Sequence, residues 1–261
     1  MDLATIIGSV IAWGALIGAL MMEGGKLQDL LNPSALLLVV GGTIGATVIS
    51  ASLKQIMNLP SIMRKAMFCK ETDPLEIIRT LVGFARKARR EGILTLESDS
   101  KKIDNKFLRM GIQLVIDGTP SEMVREILET EVVSLQDRHK VGESIFSTMG
   151  GFAPTLGIIG TVMGLINMLA RLNEPGKMGA AIASAFTATL YGVCLANLVF
   201  IPISSKLKAR TSEEISAYDM MIEGILSIQA GDSPRIVELK MQAFLPPKLR
   251  TPLSPAGIRK V

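Results

Sequence analysis

Histidine and cysteine are almost missing from this chain: His139, Cys69 and Cys194 are all there is in 261 residues. That excludes a zinc cluster, a Cys–His nucleophile pair and the disulfide framework of a small secreted domain. Aromatic residues make up only 4% of the sequence. Gly, Met and Ala are plentiful instead, a composition that suits closely packed helices better than a β-sandwich or barrel. The chain also lacks the low hydropathy of a water-soluble globule, with a mean of +0.40, and composition alone points to a membrane protein. A net charge of +4 does not imply a nucleic-acid partner, because the basic residues form no compact patch.

The most informative absence is local. Four windows contain no Asp, Glu, Lys, Arg or His: 20 residues between Asp2 and Glu23, 24 between Asp29 and Lys54, 27 between Glu143 and Arg171, and 28 between Lys177 and Lys206. An ionised side chain at the bilayer centre costs roughly 2.5–3.5 kcal/mol even on the mildest scale. About 20 helical residues cross the roughly 30 Å hydrocarbon layer, so each window is long enough to span. The first has no basic n-region and no small-residue cleavage signal, and reads as a retained helix.

The expected fold is therefore all-α and polytopic: four transmembrane helices in two hairpins, with a helical cytoplasmic domain. Hairpin 1 takes residues 1–53 (helices at about 3–22 and 34–53), the cytoplasmic domain 54–143, and hairpin 2 residues 144–205 (helices at about 147–170 and 180–204). A helical extension over 206–245 and a disordered, Pro-rich basic tail over 246–261 complete the chain. Of the 28 Lys and Arg residues, 16 lie in 54–146 and 9 in 206–261. The positive-inside bias puts both segments, and both termini, in the cytoplasm.

Helix signals punctuate the charged segments. Pro74 opens a run with apolar residues at 75, 78, 81, 82 and 85, and Gly92 is a stop. Thr119-Pro120-Ser121-Glu122 is a start signal with Thr119 as N-cap. No breaker follows before the third window, which predicts one long helix running into the membrane. The fourth window continues through Lys206–Ile228 to a stop at Gly231, and Ser233-Pro234 starts a short helix ending at Pro246-Pro247.

An ion carrier normally holds an ionisable group at membrane depth. Either this chain moves no ions, or a partner supplies the carboxylate. What the windows do contain is small and hydroxyl residues at helical spacing. Gly160 and Gly164 share one face of the third window, with Gly157 and Thr161 beside them; Ala181, Ala185 and Thr189 form a stripe in the fourth, next to Ala188, Gly192 and Ala196. Such stripes let backbones approach closely. Two readings fit Thr161 and Thr189: a hydroxyl bonded to the carbonyl four residues back, or an oxygen ligand for a desolvated cation. Pro154 and Pro202 each remove a backbone hydrogen bond, which either kinks the helix or frees carbonyls for an ion. Trp13 and Tyr191 are candidate interface anchors. The charged run Arg86–Glu91, followed by Glu97 and Asp99, reads as a solvated helix face, or as a surface for anionic lipid headgroups or an oppositely charged protein; its mixed signs argue against a pure lipid or RNA patch. Nothing supports an enzyme: the sequence has no phosphate loop and no nucleophile–base constellation.

Taken together, MDLATIIG at the start, ARREGILTLE at 88–97, DRH at 137–139, APTLGIIGTVMGL at 153–165 and ATLYGVCLAN at 188–197 resemble the A subunit of the bacterial flagellar stator, the MotA/PomA family. The resemblance covers Met1 to about Leu245. It implies an inner-membrane homo-oligomer, a pentameric ring, around a B-type partner (MotB or PomB) whose helix brings the missing Asp. It also implies torque on the rotor protein FliG. By that resemblance Arg89 and Glu97 match the charged pair that faces FliG, and Pro154 and Pro202 match the prolines of the ion path. Thr161 and Thr189 match the threonines of the sodium-driven branch, where sodium would bind transiently; the proton-driven branch tends to have Ala at the first. No cofactor is implied beyond the transported sodium ion or proton. An energiser of the ExbB/TolQ type and a non-conducting membrane scaffold are the competing readings. The former usually has three spans rather than four.

Overall fold

The computed structural model describes residues 3–57, 73–170, 172–173 and 175–250, and among them every regular element is a helix. In chain order these are α1 (Leu3–Met22), α2 (Pro33–Ser50), α3 (Leu53–Met57), α4 (Pro74–Glu91), α5 (Glu97–Ser100), α6 (Lys106–Ile116), α7 (Ser121–Leu169), α8 (Pro175–Leu195), α9 (Ile201–Gln229) and α10 (Pro234–Gln242). Among the described residues four stretches are long and apolar enough to cross a membrane: α1, α2, α7 and the α8–α9 run. The chain divides into two compact units. One holds Met1–Cys69 and Arg138–Arg210, the other Lys70–Asp137 and Thr211–Val261.

In the first unit, α1 buries none of its residues, and Leu3, Ile7, Val10 and Ile11 stand exposed along it. A helix this apolar with no protein over it requires lipid or other chains as its solvent. Helix α2 begins at Asn32-Pro33, where the Asn32 side chain accepts a hydrogen bond from the Ala35 N–H at 3.2 Å. It ends at Ser50, three residues short of the expected 53. Helix α8 starts at Pro175, five residues before the expected 180. A charge-free window marks what lies in hydrocarbon, whereas Pro at the first turn marks where the helix starts. Both α2 and the α8–α9 run contain a π-helical turn, at Leu37–Gly41 and Ala196–Phe200, where the sequence reads as regular helix.

Helix α7 is one continuous α-helix of 49 residues, and the span expected over 147–170 is its last part, ending at Leu169. Its first residue is Ser121, with the Pro120 carbonyl receiving the Val124 N–H. The start therefore falls one residue later than an N-cap at Thr119 would put it. The Thr119 N–H is instead engaged in closing α6, donating to the Leu114 carbonyl at 3.1 Å over Gly118 with φ +76°. That six-to-one bond over a left-handed glycine is the Schellman stop.

The second unit has an aliphatic core, in which Leu81, Leu96, Ile112, Leu128, Met221, Ile225 and Met241 are fully buried. Phe107 stacks on Tyr218 with ring centroids 4.4 Å apart. Helix α4 presents Ile77, Ile78, Leu81 and Ala85 to this core; Asp73 caps its start by accepting from the Leu75 N–H at 2.9 Å. Gly92 at φ +88° ends it. Helix α9 stops at Gly231 (φ +76°), and Ser233 caps α10. Helix α10 ends at Gln242 rather than at Pro246-Pro247, since the chain turns to bury Leu245. The expected disorder from 246 onward is corrected for residues 246–250. Pro247–Leu249 forms a 3-10 turn, and the Arg250 guanidinium donates to the Leu245 and Ala243 carbonyls. Residues 251–261 of that tail lie outside the described residues.

The second unit is smaller than the expected cytoplasmic segments. Among the described residues it breaks off at Asp137 and resumes at Thr211, so 54–57, 138–143 and 206–210 group with the hairpins. Residues 138–143 lie within α7 and 206–210 within α9, helices that run on past the uncharged windows, so compactness and charge draw the boundary at different places.

Candidate functional site

Helices α7 and α8 meet along the small-residue stripes. A methyl group added to Gly164 would stand 2.5 Å from the Ala185 Cβ, and one on Gly160 2.5 Å from the Ala188 Cβ. On Gly157 it would stand 2.9 Å from the Ala188 carbonyl oxygen, and on Gly192 2.4 Å from that of Ala153. The partners descend in number on one helix as they rise on the other, so the crossing is antiparallel. Contact is made by backbone and by Ala methyls, as small-residue membrane interfaces require.

Thr161 and Thr189 are brought together at this crossing. Their hydroxyls share a hydrogen bond. Thr161 Oγ1 also lies 3.2 Å from the carbonyl oxygens of both Gly157 and Ala185, and Thr189 Oγ1 lies 3.3 Å from that of Gly157. Each hydroxyl has one proton and two lone pairs. When both protons go to the carbonyls, lone pairs remain on both hydroxyl oxygens, side by side in a half-buried place. Four oxygens from two helices thus converge where Gly157 permits close approach.

Pro154 lies half-buried inside α7, which passes through it without interruption. Pro202 is exposed, two residues after the π turn Ala196–Phe200, in which the Ile201 N–H donates to the Ala196 carbonyl. The π turn shifts the ladder by one residue just where proline would leave a carbonyl without its donor.

A polar cluster with no spacing signal in the sequence sits on α8. The Tyr191 hydroxyl donates to the Leu30 carbonyl and accepts from the Asn32 N–H at 3.1 Å. The Asn32 side-chain amide donates to Ser184 Oγ at 2.6 Å. Tyr191 is therefore a bonded partner of the 23–33 connection as well as a candidate anchor. Asn32-Pro33 is a helix-start pair by type. Its pairing with a tyrosine 159 positions away has no such signal, because no spacing rule reaches that far.

Arg89 and Glu97 lie in the second unit on either side of the Gly92 turn, both exposed. They are not paired with each other. Glu97 bonds Lys101 at 3.0 Å, whereas among the described residues Arg89 makes no ion pair. Beneath them Leu96 is fully buried, and Lys87 bonds Asp99 at 2.7 Å, tying α4 to α5. The Lys87 ammonium holds the Asp99 carboxyl below its ordinary range, helped by Lys102 at 3.4 Å. Among the described residues no group of three His, Cys, Asp or Glu could hold a resident metal.

Residues 6–92 match the profile of the motility protein A N-terminal region, and residues 99–220 that of the MotA/TolQ/ExbB proton channel family. The chain is 36% identical over 260 residues to motility protein A of Bacillus subtilis, covering 98% of this chain and 96% of that one. The chain belongs to the MotA/PomA family. It is 34% identical over 245 residues to the chemotaxis protein PomA of Vibrio alginolyticus, with 94% of this chain and 96% of PomA covered. Among solved structures it resembles that of C. jejuni MotAB (TM-score 0.90, 32% identity, 94% of this chain and 96% of that one). It also resembles the flagellar MotAB stator complex from Bacillus subtilis (TM-score 0.87, 36% identity, 93% and 96%). As a MotA/PomA chain in which, among the described residues, four helices are long and apolar enough to cross a membrane, it is an inner-membrane stator subunit, a channel and motor component rather than an enzyme. The likeness runs the length of the motility relatives and includes their N-terminal region.

Proposed function

We propose that this chain, as an A subunit ringed around a MotB- or PomB-type partner, couples sodium flow to torque on FliG. The observation that carries the ion reading is the Thr161–Thr189 hydroxyl pair set against the Gly157 and Ala185 carbonyls. A cation stripped of water needs several oxygen ligands; a proton needs only a carboxylate. The A chain offers neutral oxygens and, in its charge-free windows, no carboxylate, which leaves that group to the partner's helix. The solved relatives are themselves MotAB complexes, which supports both the partner and the oligomer. The positive-inside bias supports cytoplasmic termini and a cytoplasmic second unit. That would present Arg89 and Glu97, both exposed across one turn, to the rotor.

Proton drive is the second reading, favoured by the description of the broader family as proton channels. Motor rotation in stator-deleted cells expressing this chain with its B partner separates the two. At constant proton-motive force, rotation stops on sodium withdrawal if sodium is the driving ion and persists if the proton is. Thr161→Ala then abolishes sodium-driven torque; full sodium-dependent rotation in that variant would return both threonines to packing. Reversing charge at both Arg89 and Glu97 cripples rotation at unchanged membrane levels, and unimpaired torque would remove them from the rotor interface.

A further inference from the structure

A glycine-lined crossing brings two helices close but offers few side chains that interlock, so it fixes distance better than register. The hydroxyl pair needs register. A slide or a rotation of α8 of less than one residue would part Thr189 from Thr161 and move the Ala185 carbonyl off the site. What holds α8 in place is polar and comes from the other hairpin. Ser184 receives the Asn32 side-chain amide, and Tyr191 bonds both the Leu30 carbonyl and the Asn32 N–H. These two contacts lie seven residues apart, on one face of α8. They bracket the segment that carries Ala185 and Thr189. Asn32 is itself fixed, since its side-chain oxygen caps α2 at the Ala35 N–H and accepts from Ser34 at 2.7 Å. Below it Ala35 and Val39 pack on Ala188, with Tyr191 and Leu195 alongside.

We infer that Tyr191 and Ser184, through Asn32, are positioning residues for the Thr161–Thr189 site. They set how efficiently each stator unit turns ion flow into rotation. The inference rests on the ion-path reading of the two threonines. Tyr191→Phe is the informative change, because it keeps the ring against Ala35 and Val39 and removes only the hydroxyl. The Leu30 carbonyl and the Asn32 N–H then lose a shared partner. Ser184→Ala releases the other end with a residue that favours helix.

The test uses the full stator complex in stator-deleted cells, counting the speed steps of a tethered-bead motor as units join one by one. Loss of register lowers the speed gained per unit about threefold to tenfold, the scale of one lost structural hydrogen bond, while the number of steps stays near wild type. Fewer steps of full size would mean a merely structural role and would overturn the inference, as would wild-type behaviour of both variants. If Tyr191→Phe fails to reach the membrane, Ser184→Ala decides alone on the same readout. In the double variant the loss is no greater than the larger single loss, because both act through Asn32; multiplying losses would count against a shared clamp. Thr161→Ala is the control. Unchanged steps there sink the ion-path reading itself, whereas lost steps there with wild-type steps in both Tyr191→Phe and Ser184→Ala sink only the clamp.

Discussion

Gly192 and Gly111 give the same number and opposite lessons. A methyl group added to either would stand 2.4 Å from its nearest neighbour. For Gly192, at the α7–α8 crossing, that neighbour is the Ala153 carbonyl oxygen, with the Gly157 Cα 3.2 Å away. For Gly111, in the core of the second unit, it is the Cδ1 of Ile225, the free end of a side chain, with the Leu128 Cδ1 at 3.3 Å. One glycine separates two backbones; the other makes room for side chains. The hairpin region has no water to expel between helices and gains stability by approach, whereas the second unit gains it by burying aliphatic groups. A small residue is therefore indispensable in the first and adjustable in the second.

The largest effect follows from that difference. In Gly192→Ala the new methyl group has no movable partner, so α7 and α8 must part. The loss exceeds the roughly 1–3 kcal/mol usual for overpacking. Parting the helices also separates the threonine hydroxyls. Motility is expected to vanish and the membrane level of the protein to drop; normal swimming would show that the crossing can open without harm.

The same contrast explains what could be read without a structure. The four spans were legible because the bilayer forbids charge, a constraint written residue by residue between Asp2 and Glu23 or Lys177 and Lys206. The stops at Gly92 and Gly231 were legible because each glycine takes a left-handed backbone, at φ +88° and +76°. The small-residue stripes were legible as stripes, and the meeting of Thr161 with Thr189 was implied by family resemblance. The π turns at Leu37–Gly41 and Ala196–Phe200 were not, since they arise from how helices pack rather than from local preference. Nor was the Tyr191–Asn32 clamp, whose members carry no spacing signal and meet only through the fold. The early start of α8 at Pro175 was readable in principle. Its signal, a proline at the first turn, lies before Lys177 and so outside the uncharged window.

Gly111→Ala sharpens the comparison from the other side. Ile225 can turn its terminal methyl group away, and alanine is better than glycine inside α6 by about 1 kcal/mol. That gain offsets most of an overpacking cost of roughly 1–3 kcal/mol. The detergent-solubilised protein should melt within a few degrees of the parent, and cells should still swim. A loss as severe as that of Gly192→Ala would mean that the second unit is as unyielding as the crossing.

The smallest effect is electrostatic. Lys87 and Asp99 join α4 to α5 across 2.7 Å, but both side chains keep about a third of their surface in water (29% and 31%), where ion pairs are weak. Hydrogen bonding from Lys87 lowers the Asp99 pKa below the ordinary 3.8 and raises that of Lys87 above 10.5. A carboxylate held low in the folded state stabilises it above its unfolded pKa, and that contribution fades as pH falls through the folded value. For lysine the sense is reversed, with loss only as pH rises past 10.5 toward its folded value. Between about pH 5 and pH 10 the pair is thus fully formed. Asp99→Asn should lower the melting temperature slightly at pH 7, and the gap to the parent should close as the pH is taken below 4. The Arg89–Glu97 surface beside it should keep its geometry, and with it the proposed rotor contact, because Leu96, fully buried, still pins the turn. An equal deficit at both pH values would assign the loss to packing of α5 rather than to charge.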